Sequence, residues 1–164
     1  MTTTTKPKRL LFVCLGNICR SPLAEGIFLD LARRRKVEKK FEVDSCGLGS
    51  WHVGNPPDPR SISVAAHHNI DLTSRARQFD ARRDAEAWDL LLAMDRDNAS
   101  GLIAAGAPSD RVRLMRSFDP SMADRPEHEF DVPDPYMGGP EGFDHVYTML
   151  ERACAGLLDH MLDT

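Results

Sequence analysis

"RLLFVCLGNICRSP", residues 9 to 22, decides how the rest of the chain is read. Its first half, 9–15, is an apolar run bounded by Gly16 and reads as a buried strand. Ser21 and Pro22 at its end form a helix start, since proline is tolerated at the first helical position. Beyond them Leu23, Ala24, Ile27, Phe28 and Leu31 recur at helical spacing as one apolar stripe, with Glu25, Asp30 and the arginines elsewhere. A strand, a short loop and a helix therefore follow one another within 25 residues or so, and the loop holds two cysteines, a glycine, an asparagine and an arginine.

The same alternation continues outward. "FEVDSC" (41–46) reads as a second strand, followed by the loop "GLGSWHVGNPPDP". Asp58 caps a helix with Pro59 inside it, Ile62, Ala65 and Ala66 form its inner face, and Asn69 is a left-handed stop. "WDLLLAMD" (88–95) is a third strand with the helix "RDNASGLIAAG" after it, and "RVRLM" (111–115) is a fourth strand nearer an edge. Residues 116–141 form a long, acidic, proline-bearing loop of the kind that is usually functional or disordered. From Phe143 to Met161 the spacing predicts a closing amphipathic helix that includes Cys154 on its apolar stripe. Strands alternating with helices predict an α/β fold: a four-stranded parallel sheet flanked by helices in a Rossmann-like three-layer sandwich.

The chain of 164 residues fits a single domain over 9–164 behind a flexible tail over 1–8. "MTTTTKPKR" has no apolar core of a signal peptide, and no stretch approaches a membrane span, so a cytoplasmic protein is expected. Net charge is −4, divided between +7 up to Arg83 and −11 after it. No basic stripe with interleaved aromatics occurs, which disfavours nucleic acid as the main partner. "RRRK" (33–36) reads as the solvated end of a helix. Cys14, Cys19, Cys46 and Cys154 match no zinc spacing, and the six histidines show no ligand or triad arrangement. No metal is expected.

Ligands of open α/β sheets sit beyond the carboxyl ends of the strands. Cys14 stands at such an end. The loop after it can turn its backbone N–H groups inward as an anion nest at the positive end of a helix. Gly16 and Asn17 both tolerate the left-handed angles this curl needs. Arg20 offers a planar fork to two phosphate oxygens, and the positive surroundings favour Cys14 as a thiolate. A bare Cys-x5-Arg spacing is weak; its place between a strand and a Ser-Pro helix start makes it strong. The loop is thus expected to bind phosphate and to supply the nucleophile.

These ten residues, "VCLGNICRSP", occur with "DS" (44–45), "WHVGNPPDPR" (51–60), "ARQ" (76–78), "MD" (94–95), "SFDP" (117–120) and "DPY" (134–136). In that order, over nearly the whole length, the chain resembles the low-molecular-weight protein-tyrosine phosphatases. The resemblance implies that Cys14 attacks phosphorus to form a phosphocysteine, while Arg20 and the loop of Leu15, Gly16, Asn17, Ile18, Cys19 and Ser21 hold the phosphoryl oxygens. Asp134 is the implied general acid and then base; on residues alone Asp-Pro is a turn signal, and Asp131 is its rival. Ser21 either donates to the Cys14 sulfur or caps the helix, and both can hold. Asn17 and Ser45 brace the loop; relatives complete the brace with a histidine where this chain has Ser74. Asp95 matches a supporting position, with a helix cap as its bland alternative. Trp51 and Tyr136 are implied walls for a flat phenyl ring, with Leu15 at the base. Met137 replaces a second tyrosine frequent in relatives, which implies an altered substrate preference and one fewer site for regulatory phosphorylation.

Cys19 is positioned in sequence to trap oxidised Cys14 as a disulfide; the plainer reading is a small buried filler. Cys46 and Cys154 read as structural. The expected substrates are phosphotyrosine-containing proteins, handled without cofactor, membrane or nucleic acid by a monomer. An arsenate reductase would need a further redox cysteine pair that the stretch between Cys46 and Cys154 lacks, unless Cys19 substitutes for it. A protein-arginine phosphatase would carry threonine at Ile18. A catalytically silent phosphate-binding module would not need Cys14, Arg20 and Asp134 together.

Overall fold

The computed structural model describes residues 5–164. Residues 1–4 of the expected tail lie outside them; 5–7 carry no regular structure, and Lys8 already belongs to the first strand. Strands β1 (Lys8–Cys14), β2 (Phe41–Gly47), β3 (Leu90–Ala93) and β4 (Val112–Leu114) form one sheet in the order β2-β1-β3-β4, every pair parallel. Helices α1 (Arg20–Arg34), α2 (Pro59–His67), α3 (Ala81–Asp84), α4 (Arg96–Ala104) and α5 (Pro140–Leu162) connect or follow the strands.

The period of two along β1 builds the three layers. Leu10 and Phe12 point into a core shared with α1, α2 and α5, while Leu11 and Val13 point into a second core with Leu91, Ala93, Leu102 and Trp88. Both faces of β1 are therefore buried, which explains its unbroken apolar run. Cys14, Gly47 and Ala93 end their strands on one edge of the sheet, and that edge carries the connecting loops.

Several expected boundaries move for identifiable reasons. The first strand ends at Cys14, so Leu15 is released into the loop. The third strand shortens to Leu90–Ala93 because Trp88 turns its indole N–H to Asp84 and Asp95 becomes the cap of α4. α1 begins at Arg20 with Cys19 as its N-cap, so Ser21 lies inside the first turn and caps nothing. On α2 the buried residues are Ser61, Val64 and Ala65, while Ala66 is exposed. Ser61 directs that face by donating to the Cys19 carbonyl at 3.3 Å. Asn69 does adopt the left-handed conformation, φ 61°. The long acidic loop holds three short 3-10 turns, and Val132 within it is fully buried, its N–H bonded to Met94 O at 2.8 Å.

Candidate active site

Trans peptide planarity sets the N–H of each residue opposite the carbonyl of the one before it. In the loop after β1 the carbonyls of Cys14, Leu15, Ile18 and Cys19 turn outward. They accept from Leu48 N (3.1 Å), Gly49 N (2.9 Å), Asp58 N (2.8 Å) and Ser61 Oγ (3.3 Å). The amides of Leu15, Gly16, Cys19 and Arg20 consequently face the interior of the curl. Asn17, at φ 58°, takes the left-handed step; Gly16, also expected there, does not. The collar that receives these carbonyls, Gly47–Gly49 with Asp58 and Ser61, was not anticipated as part of the site. The "GLG" after β2 was its one visible sign.

Cys14 sits at the floor of this curl, nearly buried. Its Sγ lies 3.3 Å from Asn17 N and 3.1 Å from Ser21 Oγ. The side-chain amide of Asn17 donates to Ser21 Oγ at 2.8 Å and to Ser45 Oγ at 3.0 Å, while its Oδ1 accepts from Arg77 N at 3.0 Å. Ser45 in turn donates to Glu25 Oε1 at 2.7 Å. Glu25 thus ends the brace, and Ser74 lies with it along a small neighbouring cavity. Arg77 continues inward to Asp44 and, through both terminal nitrogens, to the buried Asp84.

Arg20 is buried and fastened by two acceptors, Asp95 Oδ2 at 2.6 Å and Val132 O at 2.9 Å. Burial opposes its charge, but the Cys14 sulfur and the Asp95 carboxylate more than offset this, and its pKa lies above the ordinary value. Asp95 also caps α4 through Asn98 N at 2.7 Å, so one carboxylate contacts both Arg20 and the start of the helix. Asp134 Oδ2 approaches Arg20 Nη2 at 3.6 Å from the opposite side, half-exposed. Asp131, its rival, faces away and pairs with Arg96 at 3.0 Å.

Above Cys14 opens a cleft of about 230 Å³. Leu15, Gly16, Ile18, Cys19 and Arg20 line it from the loop, and Trp51, His52, Asp134 and Tyr136 complete its lining. Leu15 is 44% exposed and belongs to the rim rather than the base. His52, unassigned in the sequence, lies with its ring 6.2 Å from that of Tyr136. Burial, with the negative charges of Asp58, Cys14 and Asp134 behind it, pushes the Cys19 thiol up to about 12, so Cys19 remains protonated. Burial likewise raises Cys46 and Cys154, which lie outside the cleft. Among the described residues no group of three or more His, Cys, Asp or Glu side chains could hold a metal ion, and no helix is long and apolar enough to cross a membrane.

The family model described as "Low molecular weight phosphotyrosine protein phosphatase" matches residues 9–164. The chain belongs to this family. A low molecular weight protein-tyrosine-phosphatase of Streptomyces coelicolor is 42% identical over 158 residues, covering 92% of this chain and 91% of that protein. Among solved structures, YfkJ of Bacillus subtilis aligns at a TM-score of 0.88 with 32% identity over 98% of each chain. A Drosophila arginine phosphatase aligns at 0.81 with 30% identity, over 93% of this chain and 96% of its own. This protein-tyrosine phosphatase is therefore a hydrolase, and the chemistry general to its family passes through a phosphocysteine.

Proposed function

We propose that Cys14 is the nucleophile of this phosphatase, Arg20 and the inward amides its phosphate clamp, and Asp134 its acid and base. The observation that carries the reading is the convergence on one cleft of the Cys14 sulfur, the Arg20 fork and the Asp134 carboxyl. Cys14 Sγ attacks phosphorus as the bond to the phenolic oxygen breaks, and Asp134 delivers its proton to that oxygen. A water then gives a proton to the Asp134 carboxylate and attacks the phosphocysteine. Phosphate leaves, and the returning thiolate is received by Ser21 Oγ and Asn17 N.

Trp51 and Tyr136, two aromatic rings lining the same cleft, support a flat aryl substrate, phosphotyrosine in a protein. Fold likeness alone is shared with an arginine phosphatase; the apolar Ile18 on the cleft wall offers no partner to a guanidinium and supports phosphotyrosine. The four free, buried cysteines support a reducing, cytoplasmic setting. Three of the six exposed large apolar side chains among the described residues, Leu15, Trp51 and Tyr136, line the cleft itself, which supports a monomer that uses them for substrate. Cys19 lines the same cleft as Cys14, which supports its reading as the thiol that captures the oxidised nucleophile, whereas its burial and raised pKa support the plainer buried filler.

The test is hydrolysis of para-nitrophenyl phosphate. The wild type is expected to turn over, Cys14→Ser to be essentially inactive, and Asp134→Asn to lose about 10²-fold or more in kcat. Turnover by Cys14→Ser would exclude the thiolate route, and an unimpaired Asp134→Asn would remove the acid assignment.

A further inference from the structure

Asp134 owes its position to very little of its own. Its Oδ1 accepts from Tyr136 N at 3.0 Å within the same turn, and its Oδ2 reaches Arg20 at 3.6 Å. From 133 to 139, Pro135 alone is buried, and Met137 is almost entirely exposed. Packing therefore holds the turn carrying the acid at Pro135 alone. Among the described residues two hydrogen bonds tie its backbone to the body of the protein, and both come from Arg60: Nη2 to Tyr136 O at 2.9 Å and Nη1 to Gly138 O at 2.9 Å.

Arg60 is itself anchored on its other side. Asp58 Oδ1 accepts from Arg60 N and Nε at 2.8 and 3.1 Å, and Asp58 Oδ2 accepts from Nη2 at 3.0 Å. The Asp58 amide donates to Ile18 O, one of the outward carbonyls of the phosphate loop. The guanidinium also lies 4.5 Å from the ring centroid of Phe143, a buried residue of α5. An ordinary surface ion pair that caps a helix would end at Asp58. This side chain instead spans from the collar of the phosphate loop to the peptide two residues beyond the acid. The fork of arginine suits this task, since its planar nitrogens reach two carbonyls and a carboxylate at once.

We propose that Arg60 is a positioning residue for the proton-transfer step: it latches the Asp134–Tyr136 turn over the phosphate loop and so holds the Asp134 carboxyl at the leaving oxygen. The proposal rests on Asp134 being the acid. It adds that the acid's geometry is set from α2, by a residue that touches neither the sulfur nor the phosphate.

Leaving-group dependence tests it. A phenol as weak as tyrosine, pKa about 10, needs a proton as it departs, whereas dinitrophenolate does not. Values of kcat/KM for phosphotyrosine and 2,4-dinitrophenyl phosphate are compared in wild type, Arg60→Ala, Arg60→Lys, Asp134→Asn and Arg60→Ala/Asp134→Asn, with inhibition by inorganic phosphate as the measure of the loop. Arg60→Ala is expected to lose about tenfold or more on phosphotyrosine and under about threefold on the dinitrophenyl ester, with phosphate inhibition unchanged. Arg60→Lys, which keeps charge and stem but not the fork, is expected to show the same selectivity and keeps the test open should the alanine variant fold poorly. In the Asp134→Asn background Arg60→Ala should add nothing. Equal losses on both esters, full activity of either Arg60 variant on phosphotyrosine, or additive losses in the double variant would overturn the latch alone. An Asp134→Asn variant that fails to discriminate the esters would overturn the acid assignment and the latch with it.

Discussion

Arg20 Nη1 lies 2.6 Å from Asp95 Oδ2, and the other oxygen of that carboxylate accepts the amide of Asn98 at 2.7 Å. One side chain thus aims the guanidinium and starts α4. Asp95→Asn separates the two tasks: its remaining oxygen can still cap the helix, but an amide facing Arg20 loses the charge-assisted bond. Loss of about 1.5–3 kcal/mol there predicts a fall of about 10- to 100-fold in kcat/KM on para-nitrophenyl phosphate, with little change in Tm. A large drop in Tm with retained kcat/KM would assign Asp95 to the helix alone.

Gly47 closes β2 directly behind the phosphate loop. A Cβ there would stand 2.9 Å from Leu15 O and 3.0 Å from Asn17 N, and neither backbone atom can rotate aside. Gly47→Ala is expected to displace the inward amides and cost about tenfold or more in kcat/KM, with a stability loss of about 1–3 kcal/mol. Kinetics beside a urea melt check both.

Asp84 is buried and accepts from Arg77 Nη1 and Nη2, Trp88 Nε1 and Asp80 N. Burial acts against its charge, but these donors win, and its pKa lies below the usual carboxylate value. A depressed folded pKa contributes stability that is present above the unfolded pKa, about 3.9, and lost as pH falls through the folded one. Asp84→Asn should therefore be less stable by about 3 kcal/mol at pH 7 and show a flatter acid limb. Urea unfolding across that range would refute this by returning equal midpoints at neutral pH.

Glu25 carries the opposite sign. Burial raises its pKa, and the hydrogen bond from Ser45 only partly compensates. A raised folded pKa means that its contribution is full below the ordinary carboxylate value and is lost as pH rises through the folded one. Glu25→Gln keeps an acceptor for Ser45 and removes the buried charge. It should be more stable than wild type at neutral pH, the gap closing as the buffer is acidified. Thermal melts in paired buffers measure the difference.

Local pattern carried most of the frame. The apolar run of β1, the stripe of α1 and the Cys14–Arg20–Ser21 run were readable because strand end, loop and helix start adjoin in the chain, whereas Asn17 as a brace, Ser45 and Asp95 were singled out only by the family resemblance. The remaining contacts join segments far apart. Glu25 reads as the polar face of α1 until Ser45 is placed against it, and Arg77 reads as a loop arginine until Asp84 is buried beneath it. Ser61 defeats a hydrophobic count on α2 because a hydroxyl, buried by its bond to Cys19 O, occupies an inner position. Cys19 takes the N-cap ahead of Ser21 because the helix opens within the curl of the loop.

Parallel strands also sort the reactive amines. The chain has five lysines, at 6, 8, 36, 39 and 40. Each precedes or begins a strand, or follows the return of α1, so all five occupy the edge of the sheet opposite the cleft. Coupling to a solid support or a dye through these lysine side chains would consequently leave the mouth of the cleft facing outward and unblocked.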